Sequence, residues 1–421
     1  MLEDNTFFVS SGIVMFGLNR EETKMIFVEC IFTLCSVMAS VFTNVYLYSF
    51  TGSLVVMAIY TVFRMMMFTP FFTLAGKIAG KCRFSYTLSI GLIVLAIQLG
   101  VVLGFHDYFG VYPWLIYIVA MILGIGESFF WCSVNSLNQI VSSDESRATF
   151  LSCFGIFDNI ANILAPVLSG IIIATSSTDT EGYLTIFKIV LVVYVILAFI
   201  AFQVKADVKE EDFHVLKCLK LSSSDVREKK WKTNSISTIF FGIHNSLSLM
   251  LSGLLIYNAT GGSGSIYSSL LAIFALLSII SYAIAGKVLR KKSVLNCFVV
   301  SSIVMASSAI VLVLVPNIWG AIYYGISNYI GIAFYSNTYS LLGMRAIALF
   351  EEEENITGRV IARETYLAIG RCTGMLMIVV ASFILPEQYY LICSVMGISL
   401  FAIVASVFAK ISYGKIEEVK Q

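Results

Sequence analysis

Twelve stretches of mostly apolar residues, each long enough for a helix to cross a bilayer, alternate with polar connections: 25–49, 54–76, 84–105, 113–140, 150–175, 183–204, 235–259, 266–286, 294–315, 317–342, 364–385 and 388–409. A hydrocarbon core needs about 20 such residues per helical crossing. No water is available there, so backbone groups must pair within their own segment. Alternating segments of about ten residues, which would mark barrel strands, are absent. The pattern predicts an all-α membrane protein with twelve transmembrane helices. Pro113, Pro316 and Pro386 stand at the starts of spans 4, 10 and 12, where a missing N–H breaks no bond.

Composition agrees and narrows the function. Of 421 residues, 58% are hydrophobic and 13% charged, whereas soluble domains carry about 25% charge. A soluble enzyme is excluded, and a net charge of +1 gives no basis for nucleic-acid binding. Charge placement adds direction. Of 27 basic residues, 24 fall in the N-terminus, the C-terminus and every second loop, while Arg64, Lys188 and Arg371 lie within spans. By the positive-inside rule both termini and the 205–234 connection face the cytoplasm, in a multi-pass protein of the plasma membrane. Glu3 and Asp4 replace the positive flank of a signal peptide, so 7–18 reads as an interfacial segment. Nine scattered cysteines without Cys-x-x-Cys and three separated histidines support neither disulfides, nor a metal, nor any cofactor. No Walker glycine loop is present, so the chain does not itself hydrolyse ATP.

The sequence also repeats. Ala-Gly-Lys-Ile-Ala-Gly-Lys at 75–81 leaves span 2, and Ala-Gly-Lys-Val-Leu-Arg-Lys at 285–291 leaves span 8. Tyr48-x-x-Thr51-Gly52 closes span 1 as Tyr257-x-x-Thr260-Gly261 closes span 7, and Arg147-x-Thr149-Phe150-Leu151 opens span 5 as Arg363-x-Thr365-Tyr366-Leu367 opens span 11. Three matches in order predict two six-helix bundles of the same orientation. The expected organisation is a cytoplasmic segment 1–24, a bundle 25–204, a linker 205–234, a bundle 235–409 and a tail 410–421. The linker, with eight basic and six acidic residues, reads as solvated, with a short amphipathic helix near 213–221.

Twelve spans in parallel halves, a long middle loop and basic Gly-x-x-x-x-Lys turns together resemble the major facilitator superfamily over roughly 25–410. The family's turn after helix 2 resembles Gly-x-x-x-Asp-Arg-x-Gly-Arg; here Gly80 replaces the aspartate. The resemblance implies a gating role for Gly76, Lys81 and Arg83, and for Gly286 and Lys287 in the repeat. Ala161-x-x-x-Ala165-Pro166-x-x-Ser169-Gly170 is similar to the glycine–proline motif of the superfamily's antiporters and inclines the reading towards export.

An ionisable group at membrane depth costs at least about 2.5 kcal/mol and is a functional candidate by default. Glu29, Glu364 and Lys188 lie within about one turn of span ends, where snorkelling accounts for them. Arg64 and Glu127 lie near the centres of spans 2 and 4 and read as a buried pair, or as a proton carrier with its counter-ion. Asp158 reads either as a second proton site or as a partner of Arg371 latching the halves. Polar residues recur at helical spacing on the helices that the superfamily places around a central cavity: Ser40 and Asn44, Trp131 and Asn135, His244 and Asn245, and Tyr324, Asn328 and Tyr335. Such a lining suits a neutral, cationic or amphiphilic solute better than a polyanion. The expectation is a monomeric secondary transporter working by alternating access, moving a small organic solute and protons across the lipid bilayer, with efflux favoured. Uptake and lipid flipping are the alternatives on the same fold. A polytopic membrane enzyme would need a catalytic constellation that the loops lack.

Overall fold

The structure is a computed structural model and describes residues 18–418, apart from 52–53, 205–213, 262–263, 292 and 351–355. Among the described residues it is helical without strands. The membrane helices are α1 (Arg20–Thr51), α2 (Leu54–Met66 and Phe68–Lys81), α3 (Phe84–Phe105), α4 (Leu115–Val141), α5 (Arg147–Ala174), α6 (Asp179–Ala201), α7 (Val226–Ala259), α8 (Gly264–Lys291), α9 (Val294–Leu314), α10 (Ile318–Ala348), α11 (Ile356–Ile384) and α12 (Glu387–Glu418). Among the described residues, eight of them are long and apolar enough to cross a membrane. Large side chains such as Phe199 and Phe383 lie exposed on the outside, as lipid contact requires.

Local chemistry sets the helix ends. Asn19 and Glu22 form a reciprocal capping box at the start of α1, with N–H to side-chain distances of 2.7 and 2.8 Å. Asn317 caps α10 by accepting from the N–H groups of Trp319 and Gly320. Asp225 caps α7 by accepting from the Glu228 N–H at 2.7 Å; that bond and Arg227 hold its carboxyl below the usual range. Gly261, just past the end of α7, adopts φ 68°, a left-handed conformation that glycine takes without strain. Span 2 departs from the uninterrupted helix expected. It breaks at Met67, because Pro70 lacks an N–H and its ring crowds the carbonyl of Met66.

The packing is twofold. In the first half α1 packs on α4, α5 and α6, α2 on α4, and α3 on α4 and α6; in the second α7 packs on α10, α11 and α12, α8 on α10, and α9 on α10 and α12. The halves meet through α2 on α11 and α5 on α8, with α4 touching α11 and α10 touching α5, so the junction follows the same twofold. These two parallel-repeat six-helix bundles are what the three sequence matches call for.

Contacts between the halves run along both pairs, α5 on α8 and α2 on α11, and include an apolar cluster of Ala58 with Leu247, Met375 and Ile378. A Cβ on Gly155 would meet the Tyr282 ring at 2.2 Å, and one on Gly286 the Ser152 hydroxyl at 2.6 Å. Asn337 donates to Ser152 at 3.0 Å and Gln139 to the Met344 carbonyl at 3.3 Å. At the rim Arg345 Nε donates to Asp144 at 3.1 Å, with 44% and 61% of the two side chains exposed. An ion pair that open contributes little, and Arg345→Ala should shift the thermal melting of the purified protein by less than about 1 kcal/mol equivalent; a larger loss would show the pair to be a structural lock.

The expected solvated linker is partly folded. A single turn, Val215–Cys218, lies against α11, Trp231 donates to the Cys218 carbonyl at 3.1 Å, and Tyr366 donates to that of Leu219 at 2.5 Å. Trp231 is fully buried, and the Arg359 guanidinium sits over both its ring and that of Phe350 while pairing with Glu228 at 2.9 Å. Burial of the tryptophan stabilises this arrangement despite the surrounding charge. Residues 205–213 of the linker, 1–17 of the N-terminal segment and 419–421 of the tail lie outside the described residues.

Candidate functional site

The break in α2 sits beside the central charge. Arg64 occupies the last turn before Met67, and Gly124 of α4 faces it so closely that a Cβ there would come within 2.2 Å of the Arg64 carbonyl oxygen. That approach lets Glu127, one turn further along α4, receive the guanidinium in a two-bonded fork: Nε donates to one carboxylate oxygen at 2.5 Å, and Nη2 donates to the other. Glu127 is almost fully enclosed, with 4% of its side chain exposed, while Arg64 keeps 31% open. Ser128 donates to the Gly124 carbonyl at 2.5 Å and lies 3.4 Å from that of Met67 at the break. The pairing expected from span depth is therefore formed.

Arg371 approaches from the other half. Gly242 of α7 and Gly370 of α11 bring those helices into backbone contact, a Cβ on Gly370 falling 2.2 Å from the Ile239 carbonyl oxygen. Across this crossing Arg371 Nε donates to Asn245 Oδ1 at 3.0 Å. Arg371 interacts electrostatically with Arg64, Glu127 and Glu364, so the charged groups of α2, α4 and α11 share one space at the junction of the halves. Trp131 borders the apolar clusters on both sides of it.

Asp158 is elsewhere. It hydrogen-bonds Thr33 of α1 and, at 3.2 Å, Asn162 on its own helix, and it lies within electrostatic range of Glu29. The structure does not bring it to Arg371, which corrects the latch reading; α5 faces α1 and α8, whereas Arg371 faces α7 and α2. Glu29 and Glu364 also differ from expectation. Both are buried, at 2% and 8% exposure, rather than snorkelling. Glu29 accepts from Asn138 at 2.7 Å, and Glu364 makes no hydrogen bond or ion pair among the described residues. Proximity to a span end in sequence hid this, because the helices continue beyond the apolar run: α11 begins at Ile356, eight residues before the predicted start. The signal available was the residue type itself. Lys188 is exposed, as expected.

Several cavity candidates are packed inside the second bundle. His244 bonds the Ile398 carbonyl at 2.9 Å, Tyr335 donates to that of Ala402 at 3.2 Å, and Tyr324 shares a 2.7 Å bond with Ser252; all three are buried. Helix rotation turns their faces toward α12 and α7 rather than to the junction. Asn135, Asn245, Asn328 and Trp131 keep partial exposure. The side chains of Ser40 and Asn44, and residue Gly52 of the span 1 motif, lie outside the described residues. Of the gating residues, Gly76 and Gly286 are buried in helix contacts and Lys81, Arg83 and Lys287 are exposed. A cavity of about 1180 Å³ opens at the basic end, bordered by Asp144, Arg147, Lys230, Arg345, Leu342 and Tyr413. It is a vestibule at the rim, separate from the Arg64 level.

A model of the Major Facilitator Superfamily matches residues 25–362, more than half of the chain. The chain belongs to that superfamily. Among its relatives, the uncharacterized protein YqgE of Bacillus subtilis (strain 168) is 22% identical over 369 residues, covering 85% of this chain and 82% of its own. A second, an uncharacterized protein in the sodM 3′ region of Geobacillus stearothermophilus, is 26% identical over 174 residues, 40% of this chain and 78% of that one. Solved structures share the fold. The E. coli fucose:proton symporter FucP matches with TM-score 0.69 at 12% identity (93% of this chain, 99% of that one), and a bacterial homologue of the iron transporter ferroportin in its outward-facing state with 0.69 at 15% (95% and 100%). The proton:xylose symporter XylE matches with 0.71 at 12% (92% and 94%). As a superfamily member, the chain is a multi-pass membrane protein of a transporter family, and its twofold packing is the family's architecture.

Proposed function

We propose that the protein is a proton-coupled secondary transporter of a small organic or amphiphilic solute, working by alternating access with efflux as its direction, as a monomer in the plasma membrane with both termini cytoplasmic. The observation that carries this reading is the Arg64 to Glu127 fork beside Arg371 at the junction of the halves. Charges buried there and shared by both bundles are rearranged whenever the bundles rock. In this reading Glu127 takes up a proton when Arg64 leaves it and releases the proton when the fork re-forms, and Asp158 is the second carrier. The distribution of Lys and Arg supports the orientation. Uptake by symport is the second reading, favoured by the similarity to two proton symporters.

The test uses proteoliposomes carrying a pH gradient and an entrapped pH-sensitive dye. Solute addition should move protons with the wild type, and Glu127→Gln should abolish that movement. Full pH-driven transport by Glu127→Gln would falsify the assignment of Glu127. The sign of solute accumulation against the gradient separates efflux from uptake.

A further inference from the structure

We propose that the guanidinium edge of Arg371 is the receptor for an anionic group on the transported solute, so that the substrate class is an organic monoanion with an apolar body. This rests on the transporter reading above and deepens it.

The two arginines at the junction are in different states. Arg64 is fully engaged, its fork closed on a carboxylate. Arg371 has one bond, Nε to Asn245, and its two Nη groups have no acceptor among the described residues. The residue is only partly exposed, but its Nη atoms are not among the described fully buried polar atoms without a partner, so the Nη edge reaches a narrow water-accessible space. That space is interior, because Arg371 interacts with Arg64 and Glu127 of the opposite half. Asn245 holds the guanidinium plane by its Nε, leaving the Nη1–Nη2 edge, which matches the two oxygens of a carboxylate or the face of a phosphate or sulfonate.

Glu127 occupies Arg64, whereas Glu364, two turns away on α11, acts on Arg371 through space without an ion-pair contact among the described residues and leaves the Nη edge open. A guanidinium with an open edge in such a confined space binds an anion directly and repels an amine, and Arg64 nearby adds to that repulsion. The surroundings are apolar: Ile125, Trp131 and Cys372 keep partial exposure where they pack against the buried cluster of Met65, Phe68, Phe129, Ile361 and Ala368. An inorganic ion would leave those faces wet, whereas a carboxylate on an aromatic or aliphatic body would cover them.

The experiment is a thermal-shift titration of the purified full-length protein with three matched sets: benzoate, cyclohexanecarboxylate and 1-naphthoate, the corresponding carboxamides, and the corresponding methylamines. The carboxylates alone should raise the melting temperature, increasingly with apolar size. Arg371→Gln should weaken their apparent Kd by about tenfold or more, as loss of a charge-assisted pair implies. Arg371→Lys, which keeps the charge and loses the fork, should fall between; it also serves if Arg371→Gln does not fold. Stabilisation by amides or amines equal to that by the acids, no stabilisation by any of the nine, or unchanged carboxylate affinity in Arg371→Gln would overturn the proposal. The dye assay with a methylamine separates the two ideas: proton-coupled movement of the amine leaves the transporter reading standing and removes this one.

Discussion

Glu127→Ala should cost roughly 3–5 kcal/mol of stability, because it strands Arg64 in the interior with no counter-ion. Arg64→Ala strands Glu127 instead, and the two costs should differ. Glu127 is the more enclosed of the two, 4% against 31% exposed, which by burial alone would make Arg64→Ala the worse variant. A carboxylate can escape by taking up a proton, however, and a guanidinium cannot. That chemical difference outweighs the difference in burial, so Glu127→Ala should melt lower than Arg64→Ala. The double variant should recover much of the loss, since removing both charges removes the desolvation cost together with the attraction. Thermal melting of the four proteins gives the coupling directly. Strict additivity would mean that the fork contributes nothing as a pair.

The second large effect comes from a residue with no side chain. Gly370→Ala places a methyl 2.2 Å from the Ile239 carbonyl oxygen and 3.0 Å from the Gly242 Cα. Both obstacles are backbone, so no rotamer change relieves them and α7 and α11 must separate. The cost should be about 3 kcal/mol, and the bond from Arg371 to Asn245 across the same crossing should be lost with it. Gly170→Ala and Gly104→Ala are the controls. Nothing lies within 4 Å of a Cβ at either, and both glycines are in helices, so alanine should be neutral or stabilise by up to about 1 kcal/mol. The measurement is the order of melting temperatures. A Gly370→Ala protein that melts with the wild type would show that the crossing is loose. Gly170 closes the glycine–proline-like motif of α5, so the control also shows that the packed positions there are Ala161, Ala165 and Ser169, all buried, rather than its glycine.

Much of the architecture is readable along the chain. Span number follows from runs of apolar residues, and direction from Lys and Arg in alternate loops, because bilayer thickness and leaflet charge act on each segment separately. The parallel halves follow from the paired motifs at 75–81 and 285–291, and the Arg64 to Glu127 pair from two charges at mid-depth in neighbouring spans. Residue spacing also groups polar residues on helix faces. What spacing does not contain is where a face points. His244 and Tyr335 fall on a polar stripe, yet α7 and α10 are rotated so that these residues bond the α12 backbone inside the bundle. Asn245, the next residue on α7, points to the junction and orients Arg371.

Burial at the ends of the helices was equally hidden. Glu29 and Glu364 look like interface residues while each span is taken alone, and become buried once α1 and α11 extend beyond their apolar runs and are covered by neighbours. The composition and order of residues thus determined a twelve-helix, two-bundle membrane protein and the side of the membrane each loop is expected to face. Tertiary structure alone decided which charges meet, which are enclosed and which keep an open edge. Rotation about a helix axis changes no local preference; it is set by close contacts, such as Gly124 on Arg64 and Gly370 on Ile239, between residues far apart in the chain.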